Sequence, residues 1–362
     1  MIYKIALSLI KYLPVKLFNE LKINYENDEK IYSELKKIVQ KANTKTALKI
    51  QSQIKNDEVL ELAEKIYLEC INKNIEIICE DSEKYPKLLK ECPDKPKLIY
   101  IKGNINPNHQ DLIALVGTRN CTDYGLRNCE YFLKEFSKYK VGIVSGLAYG
   151  IDIHAHQISN KLNLPNYAVL GSGINVIYPR IHQKFADQIK ENGMLISEYP
   201  PFSPPTKYNF PQRNRIIAGM TKCTIVVESS IKGGAMITGK LANDYNREVF
   251  AIPGNIDKVS SQGCNSLIHH HQAHLVNHPE QVIKMLNFGI RQKKELMPNQ
   301  NMHQLTSEQK KIYDFIRKNS NSSFNVIQKK MNLPTSELST ILLIMELEDV
   351  ISQTPGKIYQ II

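Results

Sequence analysis

Six short apolar runs punctuate residues 106 to 286: "LIALVG", "VGIVSG", "NYAVLGSG", "GMLISEYP", "CTIVVES" and "EVFAIPG". Each is too short for a helix and too continuously apolar for a strand with one wet face. Such runs suit strands buried on both sides, as in a parallel sheet covered by helices. Longer segments with helical spacing separate them. Repeated strand-loop-helix units predict an α/β fold, a Rossmann-like doubly wound parallel sheet. In such sheets ligands bind beyond the carboxyl ends of the strands. Five of the six runs end in or near Gly or Ser, and Arg and Asn cluster there too.

The flanks have a different texture. "ELKKIVQKANTKTALKIQSQI" and "DEVLELAEKIYLECINKN" carry apolar residues at three- and four-residue steps, which predicts a small N-terminal helical (SAM-like) domain over 1–80. The extended Rossmann-like domain with its lead-in is assigned to 81–286, and the polar, aperiodic 287–303 to a linker. In 304–362 a Ser/Thr cap opens the first of three helical patterns, and a hairpin around Pro355-Gly356 closes the unit, the outline of a winged helix. The start, "MIYKIALSLIKYLP", is short and broken by Lys11, so it reads as an amphipathic helix and not as a signal peptide or membrane span. Seven cysteines, an odd number with no C-x-x-C pair, point to reduced thiols and a cytoplasmic protein.

The net charge of +11 favours a polyanionic partner. The last unit holds 7 basic and 6 acidic residues, too nearly neutral to grip duplex DNA by itself. The donors lie at the strand ends of the central domain. "ALVGTRN" supplies Gly117, Thr118 and Arg119; "VSGLAYG" supplies Ser145, Gly146 and Gly150. "LGSGINVIYPRIHQKF" supplies Gly171, Arg180 and Lys184 beside Phe185, a basic-aromatic pairing that suits a nucleic-acid groove. "NFPQRNRIIAG" supplies Arg213, Asn214 and Arg215, read as the start of a helix whose own dipole a cationic first turn opposes. That arrangement calls for a compensating anion, either a phosphate or an acidic side chain such as Glu198 or Glu228. "ESSIKGGAMITG" supplies Lys232, Gly233 and Gly234 ahead of Thr238. One small ligand does not need donors at so many strand ends; a chain of phosphates does. His154 and His156 lie two apart, off any common helix face, so no metal site is assigned to them or to the His269–His271 run.

The ordered series "VGTRN", "SGLAYGIDIHAH", "VLGSGINVIYP", "LISEYPP", "FPQRNRIIAGM", "VVES", "VFAIPG" and "GCNSLI" resembles the DprA (Smf) family of bacterial DNA-processing proteins. The resemblance implies a non-enzymatic protein without cofactors. It implies binding of single-stranded DNA without strong sequence preference, dimerisation, and loading of the RecA recombinase for homologous recombination and natural transformation. The family's Gly-Ser/Thr-Arg turn falls on Gly117 to Arg119, its Arg-Asn-Arg on Arg213 to Arg215, and its basic position after Tyr-Pro on Arg180 and Lys184. The chain departs from the pattern at Lys232-Gly233-Gly234-Ala235, where the lysine adds a phosphate contact, and at Gln272-Ala273 in place of Gly-Ala. A homodimer edge is placed at Leu267, Ile268, Leu275 and Val276 on their apolar character.

Two other functions fit parts of the sequence. A nucleoside-phosphate hydrolase on a related sheet would need the glutamate of P-G-G-x-G-T-x-x-E; "KGGAMITGKLAND" lacks it and offers only the more distant Asp244. A winged-helix transcription factor would need a basic last unit.

Overall fold

All six apolar runs are strands in the computed structural model, which describes residues 1–108, 110–291, 305–319, 322–348, 350–354 and 356–361. Five helices come first: α1 (Ile2–Leu9), α2 (Val15–Asn24), α3 (Asp28–Lys41), α4 (Lys45–Ile54) and α5 (Glu58–Asn72). The lead-in adds β1 (Glu76–Cys79), α6 (Lys87–Lys90) and β2 (Leu98–Gly103). The repeats then run β3 (Asp111–Val116), α7 (Asp123–Phe136), β4 (Val141–Ser145), α8 (Ile151–Lys161), β5 (Asn166–Val169), α9 (Gln183–Ile189), β6 (Gly193–Ser197), α10 (Asn209–Gly219), β7 (Cys223–Val226), α11 (Gly234–Asp244), β8 (Glu248–Ala251), α12 (Gln262–His269), β9 (His274–Leu275) and α13 (Pro279–Leu286).

These strands form one sheet in the order β1-β2-β6-β5-β4-β3-β7-β8-β9. From β6 to β9 neighbours are parallel; β2 and β1 join antiparallel at one edge. Alternation along β3 explains the two-sided burial. Leu112, Ala114 and Val116 pack into one core, Ile113 and Leu115 into another on the opposite face. Strand order reverses at β3, which lies between β4 and β7, so the turns after β3 and β7 diverge and open a crevice there.

The N-terminal helices are not a separate body. Their core, with Ile5, Leu35 and Ile50, continues into Tyr100, Ala168 and Leu195 of the sheet. Lys97 helps to join them: its half-buried ammonium donates to the Leu7 carbonyl at 3.0 Å and lies 4.0 Å from the Phe18 ring centre. Burial pushes its pKa down to about 8. The segment 287–291, read from its polarity as the start of a linker, enters the core: Phe288 is buried, and Lys140 N–H donates to the Gly289 carbonyl at 2.7 Å. One aromatic among polar neighbours is invisible to a composition argument. Residues 292–303 of that linker lie outside the described residues.

The chain divides into two units, Met1–Arg291 and Gln292–Ile362. The second contains α14 (Ser307–Lys318), β10 (Ser322–Ser323), α15 (Phe324–Met331), α16 (Thr335–Leu347), β11 (Ile351–Thr354) and β12 (Ile358–Ile361), with its three strands in the order β10-β12-β11. Thr306 and Gln309 form a reciprocal capping box at the start of α14. Ile312, Ile327, Leu338 and Met345 meet in its core. All seven cysteines are unpaired, and among the described residues no helix is long and apolar enough to cross a membrane.

Candidate functional site

Beyond the carboxyl end of β3 the backbone turns through Gly117 and Thr118. A Cβ on Gly117 would sit 2.5 Å from Ile151 Cγ1. Gly150 has φ +76°, and a Cβ there would meet the Thr118 carbonyl oxygen at 2.2 Å. The two glycines therefore let this turn lie directly on the start of α8, where Ile151 N–H donates to the Thr118 carbonyl at 3.2 Å. Thr118 N–H donates to the Glu228 carbonyl at 2.7 Å. The buried Glu228 carboxylate accepts from Thr122 N–H and Thr122 Oγ1, both at 2.9 Å, and holds the entry to α7. This bracing leaves the Arg119 side chain exposed beyond the turn.

The Arg-Asn-Arg segment is placed differently from the sequence expectation. Helix α10 starts at Asn209, so the arginines fall in its second turn, and Pro211 occupies the first, where no intrahelical N–H bond is lost. Arg213 is only 4% exposed. Its Nη1 donates to the Gly146 carbonyl at 2.6 Å and also to the Val169 carbonyl, tying together the ends of β4 and β5. Gly146 makes room: a Cβ there would lie 2.5 Å from the guanidinium. Asp152 accepts from Gly146 N–H at 3.1 Å in the same buried layer. Burial drives both Asp152 and Arg213 toward their neutral forms, and the attraction between their opposite charges pulls each back.

Arg215 is committed too. It pairs with Glu198 and donates through Nη1 to the Asp94 carbonyl at 2.6 Å. The groups that compensate the cationic segment are thus carbonyl oxygens and Glu198, the acidic-side-chain alternative. Asn214 accepts from Arg213 Nε at 3.2 Å.

A cleft of about 650 Å³ opens between these elements. Gly117, Thr118, Arg119, Asn214, Gly233, Gly234 and Thr238 all line it, and Arg213 lies beneath. Gly233 packs on Ser229, where a Cβ would come within 2.2 Å of Oγ, whereas a Cβ on Gly234 would meet nothing within 4 Å. No side chain caps α11, so its first N–H groups remain available to an acceptor.

Ser145, Gly146, Gly150 and Gly171 support the cleft without lining it; Ser145 Oγ donates to the Leu115 carbonyl at 2.6 Å. Arg180, Lys184 and Lys232 are exposed and stand outside the lining. Phe185 lines a different depression, together with His154 and Lys161, and is not brought to the cleft. Of the two motif histidines, His154 borders that depression and His156 is buried: its Nδ1 lies 2.6 Å from Asn166 Oδ1, and burial pushes its pKa down to about 4. Leu267 and Val276 are removed from the expected dimer edge, because α12 turns Leu267 onto the sheet and Val276 N–H continues the ladder to the Ala251 carbonyl. Ile268 is partly buried, and Leu275, on edge strand β9, is 48% exposed.

Sequence reasoning passed over Tyr178, Phe210 and Lys207, all of which line the cleft. The two rings lie 5.4 Å apart, and the Arg119 guanidinium is 5.8 Å from the Phe210 ring centre. The signal was present in "YPR" and "FPQRN"; the basic-aromatic logic was spent on Phe185 instead. Asp244, weighed as a hydrolytic carboxylate, lies at the far end of α11, and the carboxylate lining the cleft is Asp152, already engaged by Gly146 N–H.

The sequence model of the DNA recombination-mediator protein A family matches residues 76–287, which contain the whole sheet and the cleft. The chain belongs to the DprA (Smf) family. It is 36% identical over 291 residues to Protein Smf of Escherichia coli K12, covering 78% of this chain and 76% of that protein. It is 40% identical over 184 residues to DNA processing protein DprA of Streptococcus pneumoniae, covering 51% of this chain and 65% of that one. The X-ray structure of the pneumococcal protein superposes with a TM-score of 0.68 at 30% identity, over 80% of this chain and 98% of that one. A Helicobacter pylori DprA structure, described for its single-stranded DNA binding mode, superposes with a TM-score of 0.53 at 27% identity, over 59% and 95% of the two chains. The DprA fold thus accounts for the mostly parallel sheet and the crevice at its switch point.

Proposed function

We propose that this protein binds single-stranded DNA across the carboxyl ends of its sheet, without strong sequence preference. The observation that carries the reading is the rim of the cleft. Arg119 and Lys207 stand there without an acidic partner among the described residues, beside the Tyr178 and Phe210 rings. Charge that tracks a backbone and rings that accept bases are what a single strand requires. Arg180, Lys184 and Lys232 extend the track beyond the cleft, and Arg213 and Arg215 hold its base in shape.

The wider role rests on what membership of the DprA (Smf) family implies. The protein acts in the cytoplasm as a homodimer that loads RecA onto the strand during homologous recombination and natural transformation. Residues 304–362 are its winged helix, and the edge strand β9 with Leu275 belongs to the dimer contact. No catalytic group or cofactor is invoked. A labelled single strand, titrated against duplex of the same sequence across a salt series, tests the binding. Strong single-strand preference with a steep salt slope is expected, and equal affinity for duplex would sink the reading. RecA filament growth on strand coated with a single-strand-binding protein, with and without this protein, tests the loading.

A further inference from the structure

The depression that holds Phe185 lies on the flank of the sheet, away from the cleft. Residues of α8, α9 and the turns that follow them line it, and its volume of about 590 Å³ suits a small ligand. Five side-chain amides face it: Gln157, Asn160, Asn163, Gln188 and Asn192. Those of Gln157, Asn163, Gln188 and Asn192 have no hydrogen-bond partner among the described residues. Asn160 is half engaged. Its Oδ1 accepts from Asn166 Nδ2 at 2.8 Å, while its own Nδ2 is buried and meets no acceptor among the described residues. A buried donor of this kind calls for an acceptor from outside the chain. Phe185 and Ile158 add apolar surface, and Lys161 and Glu191 bring opposite charges that leave the lining neutral. The lining therefore fits a neutral, flat group with a donor beside an acceptor, such as a nucleobase. The approach to it is cationic. Arg180 and Lys184 are exposed and have no acidic partner among the described residues, and Lys184 directly precedes Phe185. A neutral peptide would offer the same donor and acceptor but has no use for that approach.

Building on the single-strand reading, we propose that the strand leaves the sheet ends past Arg180 and Lys184 and places a base in this depression, where the side-chain amides hold its Watson–Crick edge. An amide sets an acceptor beside a donor. The Watson–Crick edge of every base also carries a donor next to an acceptor and is open only when the base is unpaired. Amides thus hold the edge without choosing the base, which fits binding without strong sequence preference. In duplex the same edges face the opposite strand, so a base reaches the amides only after its pair is broken.

The test compares two homothymidine strands of equal length, one normal and one methylated at N3 of every base. Phosphates and ring faces are kept, and the edge loses its donor. The native protein is expected to bind the methylated strand about tenfold more weakly, the effect of one or two neutral hydrogen bonds. The double variant Gln157→Leu/Gln188→Leu is expected to bind the normal strand about tenfold more weakly than the native protein does, and the methylated strand equally well. Its melting temperature and salt slope should stay native. Should the double variant fail to fold, Gln188→Leu, at an exposed position, carries the same comparison. Equal affinity of the native protein for both strands overturns the base-edge proposal and leaves the phosphate track standing. A tenfold difference that persists in the variant would put edge recognition elsewhere and overturn this site. Failure to bind either strand overturns the single-strand reading as well. Displacement of the normal strand by free thymidine at comparable concentration would make the depression a nucleoside pocket and overturn the strand as the source.

Discussion

The cations around the cleft fall into two groups that one sequence motif would merge. Arg119 and Lys207 stand on the rim with no acidic partner among the described residues and are open to solvent. Arg213 lies below it, held by the Gly146 and Val169 carbonyls, and Arg215, outside the lining, is tied to the Asp94 carbonyl and Glu198. A guanidinium that has committed its donors to carbonyls and a carboxylate has little left for a phosphate. The rim cations keep theirs. Cationic sequence at a strand end therefore specifies either a ligand contact or a brace, and the depth of the side chain decides which.

The comparison breaks most visibly at the buried end. Arg213→Ala removes the tie between β4 and β5 and leaves Asp152 buried without its counter-charge. A loss of about 3–5 kcal/mol in unfolding free energy is expected by urea denaturation. Arg213→Lys should not restore it, because one ammonium cannot reproduce the planar fork that spans two strand ends. A variant of Arg213 that keeps full stability but loses only DNA affinity would move this residue into the rim group.

Lys97 sharpens the comparison, since it is a half-buried cation with an aromatic face and a carbonyl but, among the described residues, no acidic group within hydrogen-bonding distance. Its pKa falls from the ordinary 10.5 to about 8. Between those values the unfolded chain binds more protons than the folded one, so this group makes stability rise with pH across that window. Below pH 8 the full burial cost applies. Lys97→Met is expected to stabilise the protein at pH 7 by up to roughly 3 kcal/mol, less whatever its contacts with Phe18 and Leu7 contribute. The gain should vanish above pH 10.5, which unfolding curves at pH 7 and 10.5 would show.

At the rim the effects move from stability to binding. Arg119→Ala is expected to leave the melting temperature unchanged, weaken single-strand binding about tenfold and reduce the salt slope by about 0.7, the share of one phosphate on a single strand. A drop in melting temperature with an unchanged slope would make Arg119 a brace. Lys232→Ala, just outside the lining, should cost only a few-fold in affinity, seen in the same titration.

Much of the fold was legible because it rests on periodicity. Six buried strands, the capped α14 and the amphipathic N-terminal helices all announce themselves in local pattern. The two-residue β9 did not, since a strand that short has no period. Phe288 was lost in polar surroundings. The site was legible as a place more than as a set of contacts. Gly117, Arg119, Gly233 and Thr238 reach the cleft because strand ends in a parallel sheet converge. Phe185 does not, because α9 turns it toward another depression.

The sequence by itself determined the parallel sheet, the end of it that carries the donors, and the family. These follow from short-range pattern and from the order of motifs along the chain. Only the tertiary structure decided which arginines face out and which are buried, that Gly171 seats the Phe210 ring, and that Leu267 and Val276 belong to the core. Those outcomes depend on what residues distant in sequence place against each side chain. Gly146 leaves the space that Arg213 fills from 67 positions away, and no local pattern encodes that fit.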